Sequence, residues 1–203
     1  MKHKWIYLLV SIIIIMISQN SYTFNRWFKI SPGIRLAGTA VDQDSRAPSS
    51  GTVTRFDFAV GGNLDIQLEK FIGLDIELLY YRRGSDNFSG GKAITLHYIA
   101  VPTLLQIWVA RNKMAFVVGP VHNFLIGAEG SLTNPNVTIS KDNIRFYDMT
   151  FALGVHYVIA TFGDGYKFVG DFRFEFGLTN VFKDYRPEIF NYTTPYLGFG
   201  LNF

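Results

Sequence analysis

The segment Asp171 to Leu178 alternates without a break between apolar and polar side chains. Phe172, Phe174, Phe176 and Leu178 fall on one side; Asp171, Arg173, Glu175 and Gly177 fall on the other. A β-strand sends successive side chains to opposite faces, so this segment has one wholly apolar face and one charged face. Any fold that contains it must put lipid or a core against the first face and satisfy charge on the second.

The pattern recurs. Phe56, Phe58, Val60 and Leu64 oppose Arg55, Asp57, Ala59, Gly61 and Asn63. Leu74, Ile76, Leu78 and Tyr80 oppose Asp75, Glu77, Leu79, Tyr81 and Arg83. Ile30, Pro32, Ile34 and Leu36 oppose Lys29, Ser31, Gly33 and Arg35. Met149, Phe151, Leu153, Val155 and Tyr157 oppose Asp148, Thr150, Ala152, Gly154 and His156; Leu197, Phe199, Leu201 and Phe203 oppose Tyr196, Gly198, Gly200 and Asn202. Ala93 to Trp108 and Met114 to Ile126 are apolar on both faces, so period alone does not orient them. Their flanking turns still mark them as strands, and the total is eight.

The seven connections alternate in length. Ala40 to Val53, Gly84 to Lys92, Gly127 to Phe146 and Asn180 to Tyr192 are long; Glu69 to Phe71, Arg111 to Lys113 and Phe162 to Lys167 are short. Transmembrane barrels carry short turns at the periplasmic end and longer loops outside. The segments run about 10 to 15 residues, where a tilted strand needs about 9 to 11 to cross the hydrocarbon and a typical soluble strand has 5 or 6. The expected fold is all-β: an eight-stranded antiparallel up-and-down transmembrane barrel, with both termini in the periplasm. Aromatics near segment ends, such as Trp108, Tyr157 and Tyr166, fit an interfacial girdle.

Composition agrees. Aromatics reach 16%, with 19 Phe and 11 Tyr, and suit a pleated surface. Charged residues make up 17%, below the quarter typical of soluble domains. The N-terminus reads as a secretory leader: Lys2, His3 and Lys4, then the apolar run Trp5 to Ile17, then a polar stretch to Thr23. That run has 13 residues, short of the ~20 a spanning helix needs. The expected division is a signal peptide over 1–23 and a barrel domain over 24–203. Without Lys2 and Lys4 the chain holds 17 basic and 16 acidic residues, which argues against nucleic acid as a partner. With no cysteine there is no disulfide framework and no lipid-modified cysteine.

Several short runs resemble a known family. Tyr98 to Gln106, reading YIAVPTLLQ, is similar to a strand of the PorT-like outer membrane β-barrel proteins, with Gln106 where their pattern has Lys. Val117 to Pro120 resembles the Gly-Pro of their fifth strand, and Phe174 to Asn180 the end of their penultimate one. Gly198 to Phe203 is similar to their last strand. The resemblance implies an eight-stranded barrel of a type common in Bacteroidota; some members serve a protein secretion system, and no single activity follows. The terminal Phe203 resembles the closing aromatic by which outer-membrane barrels are recognised by the barrel assembly machinery.

The polar faces bring Arg35, Arg55, Arg83 and Arg173 together with Asp57, Asp75, Glu77, Asp171 and Glu175. Eight strands leave an interior just wide enough for side chains to fill. These residues are therefore expected to form a structural, ion-paired plug rather than an ion site or pore. His97, His122 and His156 lie in separate strands without metal-ligand spacing and read as satisfied interior or interfacial residues. No G-x-S-x-G elbow or phosphate-binding G-x-x-x-x-G-K-[ST] is present. Neither catalysis nor a cofactor nor a metal is expected. The expected partners are outer-membrane lipid, the assembly machinery and other outer membrane or secretion proteins. The long loops are the candidates for ligand binding, and they name no ligand. Two other readings differ in kind: a soluble lipocalin-like barrel with its apolar face inward, and an outer-membrane lipid-modifying enzyme.

Overall fold

In the computed structural model of the chain, the described residues are 29–43, 55–88, 92–109, 113–130, 144–163, 165–179, 181 and 192–203. The expected leader over 1–23 lies outside them. Eight strands follow one another: β1 Lys29–Gln43, β2 Arg55–Gln67, β3 Ile72–Phe88, β4 Lys92–Val109, β5 Met114–Gly130, β6 Tyr147–Phe162, β7 Tyr166–Gly177 and β8 Tyr192–Asn202. Each pairs antiparallel with its neighbours in sequence, and β8 returns to β1 to close the barrel. Gly33 opposes Asn202 and Leu36 opposes Phe199 in that closing ladder. Closure leaves no free sheet edge along the wall.

The alternation sets which way each face points. Leu36, Phe56, Leu78, Leu153, Phe172, Phe174, Phe176, Leu197 and Phe199 are exposed, while Arg35, Asp57, Glu77, Asp171, Arg173 and Glu175 are buried. The barrel is thus apolar outside and charged inside, which inverts the arrangement of a soluble lipocalin-like barrel. β4 and β5, which period could not orient, turn Leu96, Tyr98, Ala100, Leu104, Gln106 and Trp108 inward with Ala115, Val117, Val121 and Leu125. Leu105, Ile107, Phe116 and Ile126 face out. One wall of the lumen is therefore apolar and the other charged.

The strands are longer than their alternating cores. β3 and β4 continue as a hairpin to Phe88 and Lys92, so the connection expected over Gly84 to Lys92 shrinks to 89–91. The polar run there obscured the strand, because its pairing partner lies across the hairpin rather than in the local pattern. The turn from β6 to β7 is tight, and Gly163 and Gly165 supply its positive φ angles of 52° and 143°.

Four prolines sit inside strands, Pro32, Pro102, Pro120 and Pro195, and Pro102 and Pro120 mark gaps in the ladders of β4. The β3–β4 ladder skips Glu77 and Leu78 opposite Val101 and Pro102, and the β4–β5 ladder skips Thr103 and Leu104 opposite Gly119 and Pro120. Proline offers no N–H to a ladder, so each gap falls where one occurs. At Gly119 a Cβ would overlap the Thr103 carbonyl oxygen, so the backbones approach closely beside Pro120.

Candidate functional site

The lumen is the chemically dense part of the molecule. Strands β1, β3 and β7 supply its central charges. The Arg35 guanidinium lies 3.5 Å from Asp75, 3.8 Å from Glu77 and 3.4 Å from Asp171. Arg173 donates to both oxygens of Glu77, at 3.0 and 2.8 Å. Room for these side chains comes from glycine. Arg35 has Gly61 as its β2 partner and Gly200 as its β8 partner, and a Cβ at Gly200 would overlap its guanidinium. Arg173 has Gly154 opposite it on β6, where a Cβ would collide with its own.

A second group lies nearer the long connections. Arg83 pairs with Glu175, and the Tyr81 hydroxyl donates to Glu175 at 2.9 Å. The Arg83 guanidinium stands 4.2 Å over the Tyr81 ring, and that of Arg173 stands 3.8 Å over Tyr196. The two tyrosine rings are 6.3 Å apart, so a column runs Arg83, Tyr81, Tyr196, Arg173. Such stacking uses the planar, weakly hydrated guanidinium that lysine lacks. Arg55 lies 3.3 Å from Asp57, and Arg82, of which sequence reasoning took no account, reaches Asp57 at 3.6 Å.

The nine charged residues named from the sequence therefore occupy one lumen. Five of them, Arg35, Asp75, Glu77, Asp171 and Arg173, form one connected group. Arg83 and Glu175 make a second pair, and Arg55 with Asp57 a third. Asn63, Asn202 and Asp148, set on polar faces by the alternation but not counted among those nine, are buried here too, as is Asp65, which the sequence reading missed. Parity could have found Asp65, since it shares the polar face of β2 with Asp57 and Asn63.

The three histidines separate. His156 is buried in the lumen, with Nδ1 2.7 Å from Asp171 and its ring edge-on to Trp108. His97 and His122 each meet a tyrosine hydroxyl, Tyr80 at 2.6 Å and Tyr147 at 2.8 Å, with stacked rings. Among the described residues no three His, Asp or Glu side chains gather as a metal site.

At one end of the lumen, described residues of two connections come together. Arg145 N–H donates to the Val181 carbonyl at 2.8 Å, and Leu125 N–H to that of Phe146 at 2.8 Å. The Thr179 hydroxyl accepts from Met149 N–H and donates to Asp148. Ile144 and Val181 are buried among Leu96, Leu125 and Val121. The ends of two connections thus pair with each other and complete an apolar cluster. Phe203 sits at the opposite end of the barrel, its N–H donating to the Pro32 carbonyl at 2.8 Å across the β1–β8 seam.

Comparisons place this architecture. Comparison with curated proteins finds no match. Among solved structures, Neisserial surface protein A is 10% identical with a TM-score of 0.49, over 85% of this chain and 95% of that one. Ail, the attachment invasion locus protein of Yersinia pestis, in complex with the heparin analogue sucrose octasulfate, is 15% identical with a TM-score of 0.48, over 87% and 99%. OprG from Pseudomonas aeruginosa is 13% identical with a TM-score of 0.46, over 85% and 95%. The family model for the outer membrane protein beta-barrel domain matches residues 17–183. That match spans β1 to β7, and the chain belongs to the outer membrane protein beta-barrel domain family.

Proposed function

We propose that this protein is a membrane-held scaffold: a barrel with a plugged lumen that displays its long connections outside the cell and performs no catalysis. The carrying observation is the buried, ion-paired interior. Ion pairs occupy its middle, and Ile144 and Val181 complete an apolar cluster at the long-connection end. A wall of exposed Leu and Phe supports lipid as the surrounding medium. The short turns, Lys29 and Phe203 share one end, which in this reading is periplasmic, with residues 1–23 serving as the export signal. Phe203 is the assembly signal read by the barrel assembly machinery. Its place at the β1–β8 seam suits a residue inspected as the barrel closes.

Within the family we place the chain nearest the PorT-like members, on the strand containing Pro102 and the Gly119-Pro120 pair. In both, the motif residue interrupts a ladder. A role beside other outer membrane or secretion proteins follows from that placement, with the outward connections as the contact surface. The network of Arg35, Arg55, Asp57, Asp75, Glu77, Arg83, Asp171, Arg173 and Glu175 is structural in this reading.

The decisive experiment puts nitroxide labels at Phe172, Phe174 and Phe176 and at Arg173 in reconstituted protein. Oxygen is expected to relax the first three more strongly than a polar quencher does. The reverse order, or recovery of the native protein as a soluble periplasmic monomer, overturns the proposal. Extraction resistance to carbonate and a heat-dependent gel shift are the accompanying expected results.

A further inference from the structure

Two buried carboxylates face each other across a ladder. Asp65 of β2 and Asp75 of β3 are direct register partners, both turned into the lumen, and are 6% and 1% exposed. Directly opposed side chains on one sheet face lie about 4.5–5.5 Å apart at Cβ, and like charges in that position repel. Burial removes the water that would otherwise screen them.

The surroundings do not neutralise both. Arg35 is the cation within ion-pair reach of Asp75, at 3.5 Å, and it is shared with Glu77 and Asp171. Among the described residues Asp65 forms no ion pair, and its side chain accepts one hydrogen bond, from Asn202 Nδ2 at 3.4 Å. Beyond Arg35 of β1, the charged or titratable groups acting on the pair are Glu77 of β3, His156 of β6, and Lys167 and Asp171 of β7. His156 is engaged with Asp171 at 2.7 Å, and Lys167 lies 5.8 Å over the Trp108 ring.

A second observation points to a missing donor. Asn63, 7% exposed, donates from Nδ2 to Asp75 at 3.1 Å, while its Oδ1 is buried without a hydrogen-bond partner. That oxygen and Asn202 Oδ1 converge on the space a Cβ would take at Gly33. Asn202 Oδ1 already accepts from Arg35 at 2.6 Å, so Asn63 Oδ1 is the acceptor there that lacks a hydrogen. A carboxylic O–H would supply one and remove one charge.

We infer that Asp65 and Asp75 hold one proton between them at neutral pH, so that the pair carries a single negative charge. Two carboxylates sharing a site do not both ionise readily. The inference holds whichever end of the barrel faces outward. It goes beyond the scaffold reading, because it makes the lumen wall a proton-binding site rather than a set of matched ion pairs.

Linkage gives the test. The unfolded chain has both carboxyls ionised at neutral pH, so the folded protein binds one proton more. Stability then falls as pH rises through the loss of that proton, and the unfolding equilibrium constant grows up to tenfold per pH unit. The experiment is urea unfolding of the full barrel in detergent micelles across pH, for the wild type, D65N and D171N. The wild type is expected to show this slope and D65N to lose it. D65N should match or exceed the wild type in stability at neutral pH, whereas D171N, which removes the partner of His156 and one of the three carboxylates around Arg35, should fall below it. D65N as unstable as D171N, or equal slopes in wild type and D65N, overturns the inference. Infrared spectra of the wild type keep the test decisive if a variant fails to fold. A protonated-carboxyl stretch at neutral pH is expected, and its absence overturns the inference equally.

Discussion

At the scale of single residues, the lumen works by giving each large cation a partner and a place. Arg173 illustrates both. Its charge is met by Glu77 and its flat face by Tyr196. Replacing it with methionine leaves Glu77 buried with Arg35 at 3.8 Å as its remaining cation. Breaking a buried pair by removing one partner costs about 3–5 kcal/mol. R173M is therefore expected to lower unfolding free energy by that amount, measured by urea titration in micelles. Gly154 tests the space. A Cβ there would strike the Phe172 carbonyl and the Arg173 side chain, so G154A is expected to cost about 1–3 kcal/mol in the same assay. Had the wall been loosely filled, G154A would be neutral.

At the scale of elements, β4 is the strand where pattern and pairing part. Its sequence is apolar on both faces, since its inner wall packs Leu96, Tyr98, Ala100 and Leu104 against apolar partners from β5. Its ladders are interrupted on both sides near Pro102 and Thr103. Backbone groups without ladder partners open more readily than those within continuous ladders. Hydrogen exchange is therefore expected to run faster at residues 77–78, 103–104 and 119 than at the flanking positions of β3, β4 and β5. Uniform protection through these positions would show that the gaps are sealed in the membrane. The orientation of β4 was not readable from period, and the gaps in its pairing fall at Pro102 and opposite Pro120.

At the scale of the whole molecule, the barrel is an inside-out protein: its charges are internal and its largest apolar area faces outward. Substitutions should therefore have opposite consequences on the two faces. Phe174 is outward and packs edge-on to Phe172 at 5.1 Å. An arginine on the lipid face costs about 2–4 kcal/mol near the bilayer midplane. F174R is expected to fall in that range when unfolding is measured in lipid vesicles, and to cost much less in a detergent that lets water reach the site. Equal costs in both media would mean that this face does not contact lipid.

By itself the sequence determined strand number, chain order and the facing of six strands, because period-2 alternation is a local property of the backbone. It also specified nine of the lumen charges, since polar parity along a strand survives whatever the strand pairs with. Tertiary structure decided the rest. Register alone placed Asp65 opposite Asp75 and set Gly61 and Gly200 beside Arg35. It also carried the β3–β4 hairpin through a polar run, and brought Ile144 against Val181 across two connections. Each of these depends on contacts between residues distant in the chain, and register and barrel closure set such distances where local periodicity does not.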